Sequence, residues 1–356
     1  MNLNGNDCRT DMVAWFASRE PCQTILWLAT LLRAQQPDPK EETMKLAKRD
    51  EMLHVIDTLT SRYLRGKIRA VKLSMIALLS GGHILLEDIP GLGKTTLALA
   101  LSGVLGMTFG RLQCTSALLP SDITGLSIFN REEGKFTFLR GPVFNNLVLV
   151  DEINRAMPKT QSAMLEAMEE RRVTVEGVTY PLPSPFLVIA TQNPVEQVGT
   201  YHLPESQMDR FLIRTGIGYP PEDIEQTIIK GGSIRDRIKD LTPLVGLEDI
   251  VAARRAVKEQ VLLSDKIVGY IFAIVAATRN HPLILTGVST RGGINLAEAA
   301  RAHAYLEGRD FVIPEDVKDV ALPVGAHRLI LRPEHEALDK EDLFQSGLKN
   351  IEIPMV

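Results

Sequence analysis

The residues best suited to chemistry lie in a loop between the apolar run HILLE, which begins at His83, and the Ala/Leu-rich segment LALALSGVLG. The loop reads Pro90, Gly91, Leu92, Gly93, Lys94, Thr95 and Thr96. Its glycines allow the backbone to curl so that N–H groups point inward, and a helix starting at Lys94 adds the positive end of its dipole. This combination is suited to bind phosphate groups. The ammonium of Lys94 can reach the β- and γ-phosphates of a nucleotide, and the hydroxyl of Thr95 can ligate Mg²⁺.

One position departs from the general phosphate loop, G-x-x-x-x-G-K-[ST]. Asp88 stands where the first glycine is expected. A glycine-rich turn that caps a helix and exposes a surface lysine is therefore the simpler alternative. The place of the loop, after an apolar strand and before a helix, favours phosphate binding over that alternative.

Two acidic residues follow a second apolar run, in LVLVDEIN. Asp151 and Glu152 would lie at the carboxyl end of a buried strand, the edge at which open α/β sheets bind ligands. Asp151 is placed to hold Mg²⁺ through its water shell. Glu152 points in a different direction, because side chains alternate along a strand, and could polarise a water molecule for in-line attack on a γ-phosphate. The alternative is an acid pair that caps the next helix.

Asn193 and three arginines complete the set of candidate site residues. In FLVIATQNP, the amide of Asn193 could orient the attacking water or contact the γ-phosphate, and a turn before proline is the alternative. Arg210 and Arg214, in LPESQMDRFLIRTG, are candidates for an arginine that acts from a neighbouring subunit and stabilises transition-state charge. Arg291, in STRGG, begins a helix of the second domain and could reach across to the phosphates as the domains close. For these arginines, a salt bridge or a solvent-facing position is the alternative.

These residues require strands and helices that bring several loops to one edge of a sheet. Apolar runs separated by helical segments indicate a parallel sheet that helices cover on both faces. We predict strands at HILLE, GRLQCT, NLVLVDE, FLVIATQN and FLIRTGIGY, and a hairpin at RVTVEGVTYPLP, around Glu176-Gly177. After Pro220-Pro221 the strand pattern stops and helical spacing continues, which predicts a smaller, all-helical second domain.

This pattern divides the chain into four parts. In the first part, an N-terminal extension, Met12 to Leu32 could form one amphipathic helix, and the linker-like segment AQQPDPKEET comes after it. The parts are the extension at residues 1–44, the α/β core at 45–221, the helical domain at 222–332 and an irregular tail at 333–356.

Composition argues against several classes of protein. The net charge is −4, from 40 basic and 44 acidic residues, which gives no general attraction to nucleic acid or to anionic membranes. The apolar segment TILWLATLL is far shorter than the ~20 residues of a transmembrane helix. The three cysteines, Cys8, Cys22 and Cys114, have no CxxC spacing and cannot all pair, which is typical of free thiols in a cytoplasmic protein.

Together, these motifs resemble those of the MoxR family of AAA+ ATPases over about residues 60–330. The similar segments are HILLEDIPGLGKTT, LVLVDEINRAMPKTQSAMLEAMEERRVTVEGVTYPLPSPFLVIATQNP, EQVGTYHLPESQMDRFLIR and EGRDFVIPEDV. An acidic residue before Pro-Gly is common in the phosphate loop of that family. The resemblance implies an AAA+ P-loop NTPase fold, in which a parallel sheet lies between helices and a smaller helical lid domain follows.

The same resemblance gives a role to each residue of the predicted cleft. Lys94 and Thr95 match the Walker A loop, and Asp151 and Glu152 match Walker B. Asn193 matches sensor 1. The resemblance therefore implies a complete nucleotide site.

The arginines match two further elements of the family. Arg210 matches the arginine finger in DRF, with Arg214 as the second candidate, and Arg291 matches sensor 2. Thr290 and Gly292 flank Arg291, where relatives often carry Pro and Ala. Two glycines after Arg291 would loosen the start of that helix.

Two segments resemble insertions of this clade. Residues from about 117 to 145 resemble the helix-2 insert, and those from about 172 to 183 resemble the hairpin that precedes sensor 1. In the family, these insertions project from the ring and engage clients or partners. For Phe136 and Phe138, packing beneath the insert is the alternative.

The resemblance implies ATP hydrolysis by a ring, expected to be a hexamer, with ATP and Mg²⁺ as cofactors. It also implies a chaperone-like role in protein maturation, complex assembly or metal-cofactor insertion, on a client protein and beside a von Willebrand A domain partner. We expect no nucleic-acid partner. The alternatives are a chelatase motor subunit, a nucleic-acid motor and, from a different class, a nucleotide-gated scaffold with little turnover.

Overall fold

The computed structural model describes residues 39–132, 134–194, 199–232, 238, 241–349 and 351–354, with side chains from Lys48 onward in these ranges. The central sheet and the helical domain belong to one compact unit, Lys48–Val356. The helix expected at Met12 to Leu32 lies outside the described residues. Helix α1, Pro39–Thr58, begins within the linker-like segment and runs through the boundary predicted at residue 44.

The core alternates strands with helices, as the apolar runs predicted. Its helices after α1 are α2 (Ile68–Leu79), α3 (Lys94–Val104), α4 (Pro120–Thr124), α5 (Pro158–Glu170) and α6 (Glu205–Met208). Its strands are β1 (Ile84–Glu87), β2 (Phe109–Gln113), β3 (Gly125–Asn130), β4 (Lys135–Arg140), β5 (Leu147–Asp151), β6 (Arg172–Val175), β7 (Val178–Pro181), β8 (Leu187–Gln192) and β9 (Ile213–Thr215).

One five-stranded sheet in the order β2-β5-β8-β1-β9 forms the centre of the core, and every neighbouring pair is parallel. The predicted parallel sheet is thus confirmed. In its register Gln113 lies opposite Asp151, and Glu87 lies opposite Gln192. The carboxyl ends of the strands therefore share one edge, and the loops with the candidate residues leave from it.

Side chains of the central strands alternate between two apolar cores, one on each face of the sheet. Along β5, Leu147 and Leu149 belong to the core shared with α2, α3 and the second domain. Val148 and Val150 belong to the core shared with α5. All four side chains are at most 1% exposed. Burial on both faces explains why these strands are continuously apolar in sequence.

The second domain is helical, as predicted, and its described residues include one short antiparallel strand pair. Its helices are α7 (Glu222–Gly231), α8 (Leu247–Gln260), α9 (Asp265–Arg279), α10 (Thr290–Leu306) and α11 (Pro314–Gly325). The strand pair is β10 (Ile284–Thr286) with β11 (Ile330–Leu331). Within the described ranges, no helix combines the length and apolar character needed to cross a bilayer.

The C-terminal segment departs from the prediction of an irregular tail. It contains helix α12, Lys340–Leu348, whose N-cap Asp339 accepts hydrogen bonds from the N–H groups of Glu341 (2.7 Å) and Asp342 (3.0 Å). Phe344 is buried, and a Cβ placed on Gly325 of α11 would come within 2.4 Å of its ring. The segment is therefore packed as part of the helical domain.

Two hairpins lie outside the central sheet. Strands β3 and β4 pair antiparallel, as do β6 and β7. Glu176 and Gly177 both have positive φ, the geometry of the tight turn that the sequence predicted between β6 and β7. The rings of Phe138 and Tyr180 stack with centroids 4.3 Å apart, so the two hairpins contact each other.

A buried carboxylate joins α10 to α11 in the helical domain. Asp316, which is fully buried, accepts hydrogen bonds from His303 Nδ1 (2.7 Å), Arg309 Nη2 (2.6 Å) and the N–H of Ile313 (2.9 Å). Burial opposes ionisation of Asp316, but the hydrogen bonds from Arg309 and His303 outweigh it and hold the pKa of the carboxyl below its usual value. A lowered pKa stabilises the fold above the pKa of the unfolded chain, and this stabilisation is lost as the pH falls through the folded value.

Replacing Asp316 by asparagine should destabilise the helical domain, because the substitution removes the negative charge that pairs with the guanidinium of Arg309. We expect the free energy of unfolding to fall by about 3 kcal/mol in a denaturant titration near neutral pH. Glu315→Gln, at the exposed neighbouring position, should change it by less than about 0.5 kcal/mol. Equal effects of the two substitutions would contradict the assignment.

Candidate functional site

A cleft of about 560 Å³ lies at the carboxyl edge of the sheet. The structure brings most of the candidate residues together there, from three separate segments of the chain. Those that line the cleft are Pro90, Gly91, Leu92, Gly93, Lys94, Thr95, Thr96, Asp151, Glu152 and Asn193. Helix α7 and the segment before α2 close the opposite side, through Ile228, Ile229, Tyr63 and Arg65 among others.

The loop between β1 and α3 has the conformation that its glycines allow. Gly91 has φ +90° and Gly93 has φ +98°, and Gly93 is the residue that precedes the first turn of α3. Such φ values favour glycine, so the two positions are set by backbone geometry rather than by space. The ammonium of Lys94 donates a hydrogen bond to the carbonyl of Asp88. Burial lowers the pKa of Lys94 below its usual value, against the opposing influence of three nearby carboxylates.

Asp88, the departure from the general loop, has partners that the sequence did not reveal. Its carboxylate accepts hydrogen bonds from the N–H groups of Ile217 and Gly218, the latter at 3.3 Å. Lys67, which is buried, donates to the carbonyl of Gly218. A Cβ on Gly216 would lie only 3.2 Å from the Asp88 carboxylate. Asp88 therefore ties the phosphate loop to the connection between β9 and α7, the helix that lines the cleft.

The two strand-end acids are held by cationic and amide groups. Asp151 is 8% exposed and accepts a hydrogen bond of 2.8 Å from Arg111 Nε. The carboxylate of Glu152 accepts from Arg155 Nη1 (2.9 Å) and from Gln113 Nε2 (3.3 Å). Sequence analysis did not identify Arg111 and Gln113, although both line the cleft and their spacing places them on one face of β2.

The backbone at Glu152 adopts a conformation that is rare for a residue with a side chain. Glu152 has φ 57°, in the left-handed region that few non-glycine residues adopt. Its N–H donates to the hydroxyl of Thr191 at the end of β8, over 2.9 Å. The bond fixes the position of Glu152 relative to the segment that ends in Asn193.

The donor set of the cleft fits a magnesium ion that arrives with a nucleotide. Mg²⁺ in such sites keeps several waters and takes one or two carboxylates together with substrate phosphates. Thr95 supplies a hydroxyl and Asp151 a carboxylate in the same cleft. Among the described residues, no group of three or more His, Cys, Asp or Glu side chains forms a metal cluster. The residues therefore suit a nucleotide-bound ion better than a protein-caged one.

The predicted arginines lie elsewhere. Among the described residues, the lining of the cleft does not include Arg210 or Arg291. Both pair with Glu169 on α5, Arg210 through Nε at 3.2 Å and Arg291 through Nη2 at 2.9 Å. Arg210 also lines an open polar depression of about 660 Å³. Arg214 instead donates a hydrogen bond of 2.7 Å from Nε to Glu87 at the end of β1, and its Nη2 forms an ion pair with the same carboxylate at 2.6 Å.

Removing the carboxylate of Asp88 should weaken the fold more than it weakens nucleotide binding. For Asp88→Ala, we expect the free energy of unfolding to fall by about 1–3 kcal/mol, because two backbone N–H groups lose their acceptor. Asp88→Asn keeps an acceptor oxygen and should lie between alanine and wild type. A fluorescent ATP analogue should still bind both variants. Loss of binding at unchanged stability would show that the carboxylate acts inside the cleft.

Comparison with known proteins agrees with the architecture. Residues 83–213 match the family described as "ATPase family associated with various cellular activities (AAA)", and residues 276–346 match the family described as "AAA lid domain". The crystal structure of a candidate ATPase from Cytophaga hutchinsonii superposes with a TM-score of 0.80 at 37% identity, over 89% of this chain and 98% of that one. The fold is therefore an AAA+ α/β core followed by a helical lid domain.

Curated relatives give the family more closely. The chain is 46% identical to the uncharacterized protein YeaC of Bacillus subtilis, over 83% of this chain and 92% of that protein. It is 38% identical to the chaperone MoxR1 of Mycobacterium tuberculosis, over 83% of this chain and 80% of the relative. It is 33% identical to the protein MoxR of Paracoccus denitrificans, over 76% and 86%. With this identity over most of its length, the chain belongs to the MoxR family of AAA+ ATPases.

Proposed function

We propose that this protein binds Mg-ATP in the cleft at the carboxyl edge of the sheet and hydrolyses it to ADP and phosphate. The observation that carries the proposal is the convergence of Lys94, Asp151, Glu152 and Asn193 in one cleft. Asp151, Glu152 and Asn193 come from the ends of two strands, β5 and β8, and Lys94 begins the helix after the loop that follows a third, β1. Local sequence does not require such convergence, and a phosphate-transfer site does.

Binding depends on the loop and its lysine. The N–H groups around Gly91 and Gly93 and the start of α3 offer donors for phosphate oxygens. Lys94 must exchange the carbonyl of Asp88 for the β- and γ-phosphates. Its partly buried ammonium gains from that exchange, because a phosphate carries full negative charge where a carbonyl carries only a dipole.

Hydrolysis depends on Glu152 and Asn193. We assign Glu152 as the general base that accepts a proton from the attacking water, and Asn193 as the amide that orients that water. Mg²⁺, held with the nucleotide through Thr95 and Asp151, would neutralise charge on the β- and γ-phosphate oxygens. Arg155 and Gln113 hold the carboxylate of Glu152 and limit its conformational freedom.

Arg210 is better placed to serve a neighbouring subunit than its own. It lies outside its own cleft, on Glu169, and lines an open depression at the surface. A finger that acts in trans would stabilise the charge of the γ-phosphoryl in the adjacent protomer. We therefore propose a ring, a hexamer by family resemblance, with Arg210 rather than Arg214 as its finger. Arg291 contacts the same Glu169, which supports a place for it beside Arg210.

The β3–β4 hairpin offers a surface for a client protein. Phe136 is 67% exposed and Phe129 is 50% exposed, and their rings meet edge to face at 5.3 Å. Exposed aromatic pairs of this kind are enriched at protein interfaces. Phe138, in contrast, packs on Tyr180 and has a structural role. We propose that ATP turnover moves this hairpin against a client during maturation, assembly or metal-cofactor insertion, beside a von Willebrand A domain partner.

Replacing Glu152 by glutamine should abolish turnover and leave binding intact. We expect kcat for phosphate release to fall by about 10²–10⁴-fold, because the amide cannot accept the proton of water. A fluorescent ATP analogue should bind as tightly as it binds to wild type. Glu248→Gln, on the exposed face of α8, should leave both quantities unchanged. Equal, background rates for wild type and Glu152→Gln would favour the nucleotide-gated scaffold.

Mixing two inactive variants should restore turnover if Arg210 acts between subunits. Arg210→Ala subunits keep an intact cleft, and Glu152→Gln subunits keep an intact finger. Random mixing in equal amounts should give about a quarter of the wild-type rate, since that fraction of interfaces joins an intact cleft to an intact finger. A mixture no faster than the average of its two components would place Arg210 outside the site of its neighbour.

A further inference from the structure

A buried arginine of the helical domain holds the segment that carries Arg210. Arg328 lies in the short turn Ala326–Arg328 after α11, and its side chain is 2% exposed. Its Nε donates to Asp209 Oδ1 over 2.7 Å, and its Nη2 donates to the carbonyl of Phe211 over 2.7 Å. Longer bonds of 3.4 Å reach the carbonyls of Asp209 and Leu212. One guanidinium therefore contacts the residues on both sides of Arg210.

His327 adds a second support to the same segment. It is buried, and its Nε2 lies 3.2 Å from the carbonyl of Phe211. Burial holds the pKa of His327 well below its usual value, so the ring is neutral at physiological pH. Its Nε2 also lies 3.0 Å from Arg328 Nη1, so His327 contacts both Arg328 and the carbonyl of Phe211.

Gly292 provides the space that this arrangement needs. A Cβ at Gly292 would come 3.0 Å from Arg328 Cδ and 2.5 Å from a methyl of Val288. The small residue after Arg291 thus allows the start of α10 to pack against Arg328. The helical domain therefore holds Asp209 through Arg328, and it reaches Arg210 through Arg291 and the shared Glu169.

The contacts of Arg328 suit a residue that fixes the backbone beside Arg210 and does more than balance the charge of Asp209. Burial lowers the pKa of Arg328, and the adjacent carboxylate of Asp209 opposes that effect. A planar guanidinium can serve one carboxylate and several carbonyls at fixed angles, which an ammonium cannot do. The contacts therefore fit a residue that fixes the backbone of the segment from Asp209 to Leu212.

We propose that Arg328 is the positioning residue for Arg210, so that the helical domain of one subunit sets the arginine presented to the cleft of the next. The proposal rests on the proposed role of Arg210 in trans. It makes Arg328 a determinant of hydrolysis in the neighbouring subunit, although Arg328 lines neither the nucleotide cleft nor the depression at Arg210.

The test uses the mixed rings in which only one subunit type supplies the finger. Donor subunits carry Glu152→Gln with or without Arg328→Lys, and acceptor subunits carry Arg210→Ala. The Lys donor should lower the restored kcat at least about tenfold with little change in KM for ATP, since a 1 Å misplacement can cost about a hundredfold. Arg332→Lys in the donor, at an exposed position of the same domain, is the matched control and should give the full restored rate.

Placing the Arg328→Lys substitution in the donor or in the acceptor distinguishes a defect of the finger from a general structural defect. Arg328→Lys placed in the acceptor, whose own finger is already absent, should lower the restored rate far less than the same change in the donor. Equal losses from donor and acceptor, or no loss from either, would overturn the proposal. If the Lys variant fails to assemble with its partner, Asp209→Asn in the donor removes the same ion pair at constant volume and carries the same expectation. No restored rate even with unmodified donors would instead reject the trans role of Arg210.

Discussion

Parallel pairing of five buried strands is the constraint on which the site depends. Because β2, β5, β8, β1 and β9 run in one direction, their carboxyl ends lie at one edge, and the register sets Gln113 opposite Asp151. Polar groups that are far apart in sequence thus meet in one cleft. Apolar side chains on both faces of each strand leave little freedom to shift this register, because a one-residue slip would exchange the two faces.

Charged side chains of the cleft have hydrogen-bond partners within the protein. Lys94 bonds to the carbonyl of Asp88, Arg111 holds Asp151, and Glu152 accepts from Arg155 and Gln113. Buried charges without partners would be costly, so these contacts stabilise the site. They also mean that a nucleotide must replace existing partners, and its affinity is a difference between two sets of bonds. Asp88 connects this exchange to α7, because its carbonyl meets Lys94 while its carboxylate meets Ile217.

The parts of the molecule that sequence could predict are those with local causes. The continuous apolar runs predicted the parallel sheet. The Gly91–Thr95 loop and the acid pair that begins at Asp151 predicted most of the cleft. Each of these signals depends only on residues that are neighbours along the chain. The partners of the Asp88 carboxylate lie 129 and 130 residues later. Apart from its neighbours Val324 and His327, the partners of Arg328 lie 116 to 119 residues earlier. Such contacts follow from tertiary packing and leave no pattern in the sequence. Helix α12 was missed although its N-cap, Asp339, was a usable signal.

Two kinds of contact hold Arg210, one through its side chain and one through the backbone beside it. They would act differently in the proposed ring. Glu169 holds the side chain of Arg210 by an ion pair at the surface, and a phosphate of a neighbouring subunit could compete for it, since a phosphate offers more charge than one carboxylate. Arg328 holds the backbone on both sides of Arg210 through carbonyls and Asp209, in a place that solvent and phosphate do not reach. The side chain can therefore change partner while its backbone stays fixed to the helical domain. If Arg210 is the finger of the proposed ring, this contact would couple the helical domain of one subunit to the cleft of the next.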